Sequence, residues 1–356
     1  MPDDSDDLLK TIERRLVMLL RIVKQVFSYV LVLLGLSILI FIIVRVMPGD
    51  TARLALGART PEATVEALRE EMHLHDPLYK QYYYWITNAL RGDFGTSIIS
   101  KRPVLDDIKS YFPATLELVA LSAVIMVIFG ILLGVLSAKY SGKWQDAAIR
   151  IFSYLGVVSP AFLWAVLAML LFAFIIPILP SSGRISEFMS SPAKITGMYT
   201  IDYLLEGNIK GVADSLKHII MPAVVLSFAG ISQAARIIRS SMTQNMDKPY
   251  ALAEHAYGIP ENKILFKYLL KPSLNSSVSV MSLNIAAMVG GAFIVEQIFN
   301  YPGLSRYCLQ AMLNKDVFSV SAVVLLMGVV FVVMNFLTDL LITFLDPRLR
   351  YTKVGE

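Results

Sequence analysis

The densest group of polar side chains inside an apolar stretch of this 356-residue chain lies between residues 276 and 296. It contains Ser276, Ser277, Ser279, Ser282 and Asn284, and it ends at Glu296. In a membrane helix, such hydroxyl and amide groups either line an aqueous path or bind neighbouring helices through hydrogen bonds. The sequence leaves both alternatives open, and Ser279, Ser282 and Asn284 are the candidate residues for such a path.

A carboxylate in the last apolar run is a second candidate. Asn335 and Asp339 are four residues apart and share one helix face. An intramembrane carboxylate is costly and therefore a functional candidate, although Asp339 lies near the end of its run, where a structural role is equally compatible. His73 and His75 are two residues apart and would point to different sides of a helix, so we predict no metal site there.

Motifs for enzymatic chemistry are missing from the sequence. It contains no Gly-x-x-x-x-Gly-Lys-Ser/Thr phosphate loop, no Gly-x-Ser-x-Gly and no His-Glu-x-x-His. The single cysteine, Cys308, excludes an internal disulfide and a cysteine-only metal cluster. We expect no catalytic residue, no metal, no cofactor and no nucleic-acid partner. An ion-coupled secondary carrier stays an alternative, although the runs lack the acidic chain or buried Arg/Lys of a proton-coupled carrier.

The elements that position these residues are long apolar runs. Hydrophobic residues make up 56% of the chain and charged residues 17%, with a mean hydropathy of +0.61, whereas soluble domains are about 45–50% apolar and about 25% charged. We predict an all-α polytopic membrane protein with six transmembrane helices. They are expected at 26–46, 114–138, 151–179, 218–238, 273–299 and 319–345. The fourth is the weakest because it contains Gln233 and Arg236.

Lys and Arg are distributed unevenly between the two sides. Seventeen of the 32 lie in the tail 1–25, the loop 139–150, the segment 236–272 and the tail 346–356. The short loops 180–217 and 300–318 hold six. The long loop 47–113 is discounted because the positive-inside bias acts over short loops. Both termini and the segment 246–272 are therefore expected in the cytoplasm.

The long loop 47–113 is expected to be partly helical. Pro61–Leu74 has an amphipathic helical pattern, and Tyr79–Leu90 has a second one. The second carries Tyr79, Tyr82, Tyr83, Tyr84 and Trp85, which form either an interfacial aromatic belt or a seat for an external protein. Within the membrane, Gly130 and Gly134 predict close helix packing, and Pro160 and Pro222 predict kinks or breaks.

The polar segment 246–272 carries its own helix signals. Asp247 and Pro249 predict a helix start, while Gly258 and Pro260 predict its end. The resulting helix of about nine residues is too short to be stable alone in water. We interpret it as a docking element for a cytosolic partner.

Eight short motifs, taken together and in order, resemble one family. They are Met47-Pro-Gly-Asp50, His75-Asp-Pro-Leu-Tyr-Lys-Gln-Tyr82, Gly92-Asp-Phe-Gly-Thr-Ser97, Phe112-Pro-Ala-Thr-Leu-Glu-Leu118, Val158-Ser-Pro160, Leu179-Pro-Ser-Ser-Gly183, Glu296-Gln-Ile-Phe-Asn-Tyr-Pro-Gly-Leu304 and Leu345-Asp-Pro-Arg-Leu-Arg350. Each motif is weak alone, but the series covers about Val26 to Arg350. The chain is similar to the first permease subunit of oligopeptide/dipeptide-type ABC importers.

The resemblance implies a type I importer permease fold, with a core at 114–345 and a cytoplasmic coupling loop at 246–272 that docks on an ATPase subunit. The family's glycine falls on Gly258, and its Glu-Ala-Ala positions fall on Leu252, Ala253 and Glu254, so only the alanine agrees. Either Glu254 or His255 could replace the missing glutamate. The implied coupling residues are Pro249, Tyr250, Ala253, Glu254 and Gly258.

The resemblance also implies partners and a location. The partners are a second permease, two ABC ATPase subunits that hydrolyse ATP, an extracytoplasmic solute-binding protein and membrane lipid. The location is the inner membrane of a prokaryote. The expected substrate is a di- or oligopeptide; nickel chelates, glutathione and oligosaccharides are alternatives. Asn300, Pro302 and Gly303 are candidates for an outer gate.

Overall fold

The computed structural model describes residues 23–43, 51–56, 60–71 and 73–345. In these ranges the regular structure is helical, apart from one isolated bridge between Thr96 and Pro103. The motif at 47–50, most of the N-terminal tail, and the tail 346–356 lie outside the described residues. The helices, in chain order, are α1 Val23–Ile43, α2 Thr51–Leu56, α3 Glu62–Glu71, α4 Leu78–Leu90, α5 Val104–Lys139, α6 Trp144–Val158, α7 Ala161–Met169, α8 Tyr199–Leu205, α9 Ile209–Met246, α10 Pro249–Ala256, α11 Glu261–Lys263, α12 Leu270–Ile298, α13 Leu304–Leu313 and α14 Val317–Leu345.

Five of these helices, α1, α5, α9, α12 and α14, are long and apolar enough to cross a membrane. The pair α6–α7 provides a sixth span if its two parts are counted as one. This count agrees with the predicted all-α fold of six spans. The third span is not one straight helix over 151–179, however, because α6 and α7 meet at 111°. The break falls at Ser159 and Pro160, where both residues are extended and proline cannot donate a helix hydrogen bond.

Three helices extend well beyond the apolar runs that predicted them. The helix expected at 114–138 begins at Val104, and the one expected at 218–238 runs from Ile209 to Met246. The fifth begins at Glu261, because α11 continues through a π-helical turn, Ile264–Leu269, into α12. An apolar run measures the thickness of the hydrocarbon core, whereas a helix continues into the polar region wherever its backbone bonds are satisfied. The helices are therefore longer than the predicted spans, and the bounds of the spans themselves stay a prediction.

The centre of the molecule is the packing of α5 against α9 and α12. A Cβ on Gly130 would lie 2.7 Å from the Ala234 Cβ, and one on Gly134 would lie 2.7 Å from the Ile238 Cβ. Only glycine allows the backbones of α5 and α9 to approach this closely. The small-residue pair therefore sets the core contact, as its spacing predicted.

At the edge of the bundle, α1 packs against α14. The Tyr29 hydroxyl donates to Asp339 Oδ2 at 2.6 Å, and the Tyr29 ring lies edge-on to Phe336. Asn335 donates to the Phe331 carbonyl of its own helix. Asp339 thus joins α14 to α1, which is the structural role that its position near the end of the run allowed.

The aromatic residues of α4 divide between two environments. The Tyr82 hydroxyl lies 2.7 Å from Ser37 Oγ, and its ring meets Phe41 edge-on, so this residue holds α4 to α1. Tyr79 and Tyr83 are exposed. Nearby, His73 stacks on a tyrosine ring and His75 faces a glutamate. Among the described residues, no three His, Cys, Asp or Glu side chains are placed to hold a metal ion.

Candidate functional site

The short helix α10 lies between α9 and α11, as the segment 246–272 predicted. Lys248 precedes it in an extended conformation, and Pro249 occupies its first turn. Gly258 has a φ of 73°, and the N–H groups of Gly258 and Ile259 donate to carbonyls in the last turn of the helix. Asp247 does not start α10; it caps the end of α9 instead. The left-handed glycine therefore fixes the direction in which the chain leaves the helix.

One residue anchors α10 and its other side chains point outward. Ala251 is fully buried, whereas Pro249, Ala253 and Gly258 are exposed and Glu254 is half-buried. Apolar side chains dominate the open surface. Their exposed fractions are 42% for Tyr250, 59% for Leu252 and 84% for Tyr257.

The exposed side chains of α10 that could contact a partner are mainly apolar. Leu252, at the position where the resemblance leads one to expect a glutamate, presents an open apolar side chain. The Tyr250 hydroxyl is neutral at physiological pH because the usual tyrosine pKa is about 10, and burial raises the pKa of Tyr250 further. We name Tyr250, Leu252 and Tyr257 the apolar surface of α10; Tyr250 and Tyr257 are seven residues apart and share one side, whereas Leu252 lies on another side, across the buried Ala251. Contact there would exclude water from apolar groups, with Glu254 and His255 at its side.

Hydrogen bonds connect the region around α10 to the long helices. Lys139 at the end of α5 donates to Asn262 Oδ1 at 2.8 Å in α11. Asn245 of α9 donates to Ser273 Oγ of α12 at 2.9 Å. Because α10 lies between α9 and α11, these bonds connect both of its neighbours in the chain to the long helices α5 and α12.

A second polar site lies far along α5 from Lys139. Arg184, in the loop after α7, donates to Glu117 Oε2 at 2.5 Å and to the Gly197 carbonyl at 3.1 Å. The Tyr301 hydroxyl also donates to Glu117, at 3.3 Å, and the Thr200 N–H donates to the other carboxylate oxygen at 2.6 Å. A rise of 1.5 Å per residue separates Glu117 from Lys139 by roughly 33 Å. This site and α10 therefore lie at opposite ends of α5.

The charges at this site are buried and paired. Burial by itself would lower the pKa of Arg184, but its neighbours Tyr301 and Glu117 raise it, so the guanidinium stays charged. Burial raises the pKa of Tyr301, which keeps its hydroxyl protonated as a donor. The Arg184 guanidinium also lies 3.7 Å from the centre of the Tyr199 ring. The surrounding rings and carboxylate satisfy a charge that would otherwise be costly to bury.

The candidate outer-gate turn is fixed by the neighbouring carboxylate of Glu296. Thr115 Oγ1 donates to Glu296 Oε1 at 2.6 Å and accepts from the Leu304 N–H at 2.8 Å. A Cβ on Gly303 would overlap the Glu296 carboxylate. Asn300 is exposed with a φ of 49°, and Pro302 is half-buried. The turn is tightly held in this conformation, and a gating role for Asn300, Pro302 and Gly303 stays a prediction.

Hydrogen bonds to Glu117 and Glu296 bring together two motifs that are far apart in the sequence. Phe112–Leu118 supplies Thr115 and Glu117, while Glu296–Leu304 supplies Glu296 and Tyr301. We name Thr115, Glu117, Arg184, Glu296 and Tyr301 the buried polar cluster. Sequence reasoning used the motifs as a fingerprint but missed the Glu117–Arg184 pair. The available signal was a glutamate inside the motif Phe112–Leu118 and an arginine directly after the motif Leu179–Gly183, both next to apolar runs.

The candidate path residues lie on α12 in mixed environments. Ser282 is buried, and Ser279 and Asn284 are half-buried. Asn284 Nδ2 donates to Gln233 Oε1 of α9 at 3.0 Å, and Ser277 Oγ donates to a carbonyl of its own helix. Asn284 therefore joins two helices in this structure, while a place for these residues on a translocation path stays a prediction.

Comparison with known proteins matches the chain to two family descriptions. "Binding-protein-dependent transport system inner membrane component" matches residues 130–351, and the N-terminal description of the same kind of membrane component matches 18–119. The first covers more than half of the chain. The chain belongs to this permease family. It is therefore a multi-pass protein of the inner membrane and a transport permease rather than an enzyme.

Curated relatives of this permease match over nearly their whole length. A probable D,D-dipeptide transport system permease protein of Escherichia coli K12 is 35% identical, covering 92% of this chain and 96% of that protein. A dipeptide transport permease of Alkalihalophilus pseudofirmus is 30% identical over 90% of this chain and 96% of its own. A glutathione transport permease of Escherichia coli K12 is 30% identical, covering 94% of this chain and 100% of that protein.

Proposed function

We propose that this permease forms, with a second homologous permease, the membrane pathway of an ATP-driven importer for short peptides. Two ABC ATPase subunits would supply the energy through α10, and a solute-binding protein would deliver the peptide at the opposite face. The chain itself would carry no nucleotide site. Both termini and α10 would lie in the cytoplasm, in line with the distribution of Lys and Arg.

The observation that carries this proposal is the geometry of α10. An eight-residue helix is unstable alone, yet this one is anchored by Ala251 and closed by Gly258. It presents an apolar surface outside the bundle. Such a surface favours a groove on a protein partner, which would bury it when the complex assembles.

Coupling would proceed by rigid displacement. Closure of the ATPase pair on ATP would move α10, and the bonds Lys139–Asn262 and Asn245–Ser273 would pass this movement to α5, α9 and α12. The membrane pathway would then open alternately to the two faces.

The substrate class is proposed from the relatives. Two of them are named as transporters of dipeptides and one as a transporter of glutathione, which is itself a small peptide. A short peptide is therefore the best-supported substrate, and glutathione is the second candidate. Competition between labelled dipeptide and glutathione for uptake into vesicles distinguishes them.

Substitution of Gly258 tests the coupling. Valine at a φ of 73° is strained by about 1–2 kcal/mol, so Gly258→Val should redirect α11 away from α10. In proteoliposomes holding both permeases and both ATPases, we expect peptide uptake to be lost while membrane insertion persists. Unchanged ATP-driven uptake in this variant would overturn the coupling role.

Gly207 provides a matched control. It also has a positive φ, 71°, with open space around its Cβ position, but it lies in the turn between α8 and α9. Gly207→Val should carry similar strain and keep its uptake coupled to ATP. Uptake by this chain alone, driven by an ion gradient without ATPase subunits, would instead support the secondary-carrier alternative.

A further inference from the structure

A pocket rich in arginine opens between α5, α6 and α9. It has a volume of about 230 Å³. Its polar lining includes three guanidinium groups and several hydroxyl groups, contributed by Arg150, Arg236, Arg239, Ser153, Tyr154 and Ser240. It also borders Ser137, two residues before the Lys139 that bonds to α11, so it lies near the α10 end of the bundle.

The cations of this pocket outnumber its anions. Asp146 is fully buried and accepts from Arg239 Nε at 2.6 Å and Nη2 at 2.8 Å. Its oxygens also accept from Ser137 Oγ and the Gly142 N–H. Arg150 comes only to 3.6 Å of the same carboxylate. Asp146 is therefore saturated by Arg239 and its other donors.

Arg236, together with Arg150 and its longer contact to Asp146, can bind a further anion. Arg236 is exposed, and the Arg150 side chain is 48% exposed. In the described part of the chain, no carboxylate pairs with Arg236. Paired arginines with neighbouring hydroxyl groups match the tetrahedral oxygens of a phosphate group.

We propose that this pocket binds the phosphate group of an anionic phospholipid. The surface of α6 beside the arginines is apolar and open: the exposed fractions are 60% for Ile151, 57% for Tyr154 and 49% for Leu155. These residues recur at helical spacing on one side of α6. Acyl chains can lie along this face while the phosphate reaches Arg150 and Arg236. Basic pockets between transmembrane helices recognise phospholipid headgroups in this way.

The proposal is tested by native mass spectrometry of the assembled importer, purified in mild detergent and mixed with phosphatidylglycerol or phosphatidylcholine. The variant is Arg150→Gln with Arg236→Gln, which leaves the Asp146–Arg239 pair intact. Each removed charge should weaken phosphatidylglycerol binding about fivefold, so the double variant should bind it about 25-fold more weakly. Phosphatidylcholine should bind weakly to both forms. Unchanged retention of phosphatidylglycerol by the variant would overturn the proposal.

A matched control removes two other positive charges at the same end of the molecule. The double variant Lys143→Gln, Lys267→Gln changes exposed residues outside the pocket and should leave phosphatidylglycerol binding unchanged. If it loses as much binding as the arginine variant, the effect comes from overall charge, which contradicts a specific site. Arg150→Lys with Arg236→Lys keeps the charge and should restore much of the binding, which excludes misfolding as the cause.

Two further measurements identify what occupies the pocket. If millimolar inorganic phosphate displaces phosphatidylglycerol, the pocket recognises phosphate, but its ligand is the free anion and not a phospholipid. Dissociation of the second permease from the Arg150→Gln, Arg236→Gln variant, with lipid binding retained, would show a protein interface and overturn the lipid proposal.

Discussion

The two ends of α5 differ in whether the candidate functional side chains beside them are buried or exposed. At one end, the buried polar cluster pairs Arg184 with Glu117 and surrounds both with ordered donors and aromatic rings. At the other end, α10 leaves Tyr250, Leu252 and Tyr257 open and is anchored through Ala251. The first region pairs its buried charges within one chain, although the buried Nε of Arg184 has no hydrogen-bond partner among the described residues. The second leaves an apolar surface that a partner can cover.

This contrast suggests that the buried polar cluster stabilises the fold, whereas α10 serves assembly with a partner. A buried ion pair holds the loop after α7 and the turn after α12 in one arrangement, because separating the charges leaves each of them unsolvated. An exposed short helix can be displaced by a partner without breaking the bundle. We therefore expect substitutions in the buried polar cluster to change stability first, and substitutions on α10 to change assembly first.

The largest effect is expected from Arg184→Leu. It leaves the Glu117 carboxylate buried without its cation, which should cost about 3–5 kcal/mol of unfolding free energy. Thermal unfolding in detergent measures it. Arg69→Leu is the control, because its glutamate partners are on the surface and the loss should be at most about 1 kcal/mol. If the two variants lose the same unfolding free energy, the buried ion pair is no more stabilising than the exposed one, which contradicts the comparison.

A smaller loss is expected from Gly303→Ala. The added methyl group would overlap the Glu296 carboxylate and disturb its bond from Thr115, at a cost of about 1–3 kcal/mol. Gly290→Ala, in α12 with open space around its Cβ position, should be neutral or stabilising by about 0.5 kcal/mol. If both variants unfold at the wild-type temperature, the turn after α12 is looser than its contacts indicate.

The smallest effect on stability, but a selective one on assembly, is expected from Leu252→Ala. Loss of its buried apolar area in the complex should weaken ATPase binding by about 2 kcal/mol, or about 30-fold. Titration of the ATPase into the reconstituted permease pair gives this affinity. Leu205→Ala, which is equally exposed on α8, should bind normally. Wild-type affinity in Leu252→Ala would place the contact elsewhere on α10.

The fold was predictable to a large extent because hydrophobicity and glycine spacing are local signals. The apolar runs gave the six spans, and Gly130 and Gly134 indicated where α5 and α9 approach. The bend between α6 and α7 was foreseen at Pro160, but its angle of 111° was not. Proline removes one hydrogen bond, whereas the surrounding packing sets how far the chain then turns.

The candidate site was predictable only in part. The start at Pro249 and the end at Gly258 followed from backbone preferences, so α10 was located from its sequence. Its apolar surface was not, since exposure depends on which side of α10 meets the bundle. Asn284 and Asp339 could equally have served a pathway or helix packing, and the sequence contained nothing to decide between them. Their contacts with Gln233 and Tyr29 join helices in this structure, while a place for Asn284 on a translocation path stays a prediction.

The sequence by itself determined the class of this protein: an all-helical membrane permease, without a recognisable nucleotide motif, with a short helix closed by a left-handed glycine. These properties depend on composition, periodicity and local backbone preference. The tertiary structure alone decided that Glu117 pairs with Arg184, 67 residues away, and that three arginines border one pocket. Pairings of this kind arise from helix packing, which joins residues that no local pattern connects.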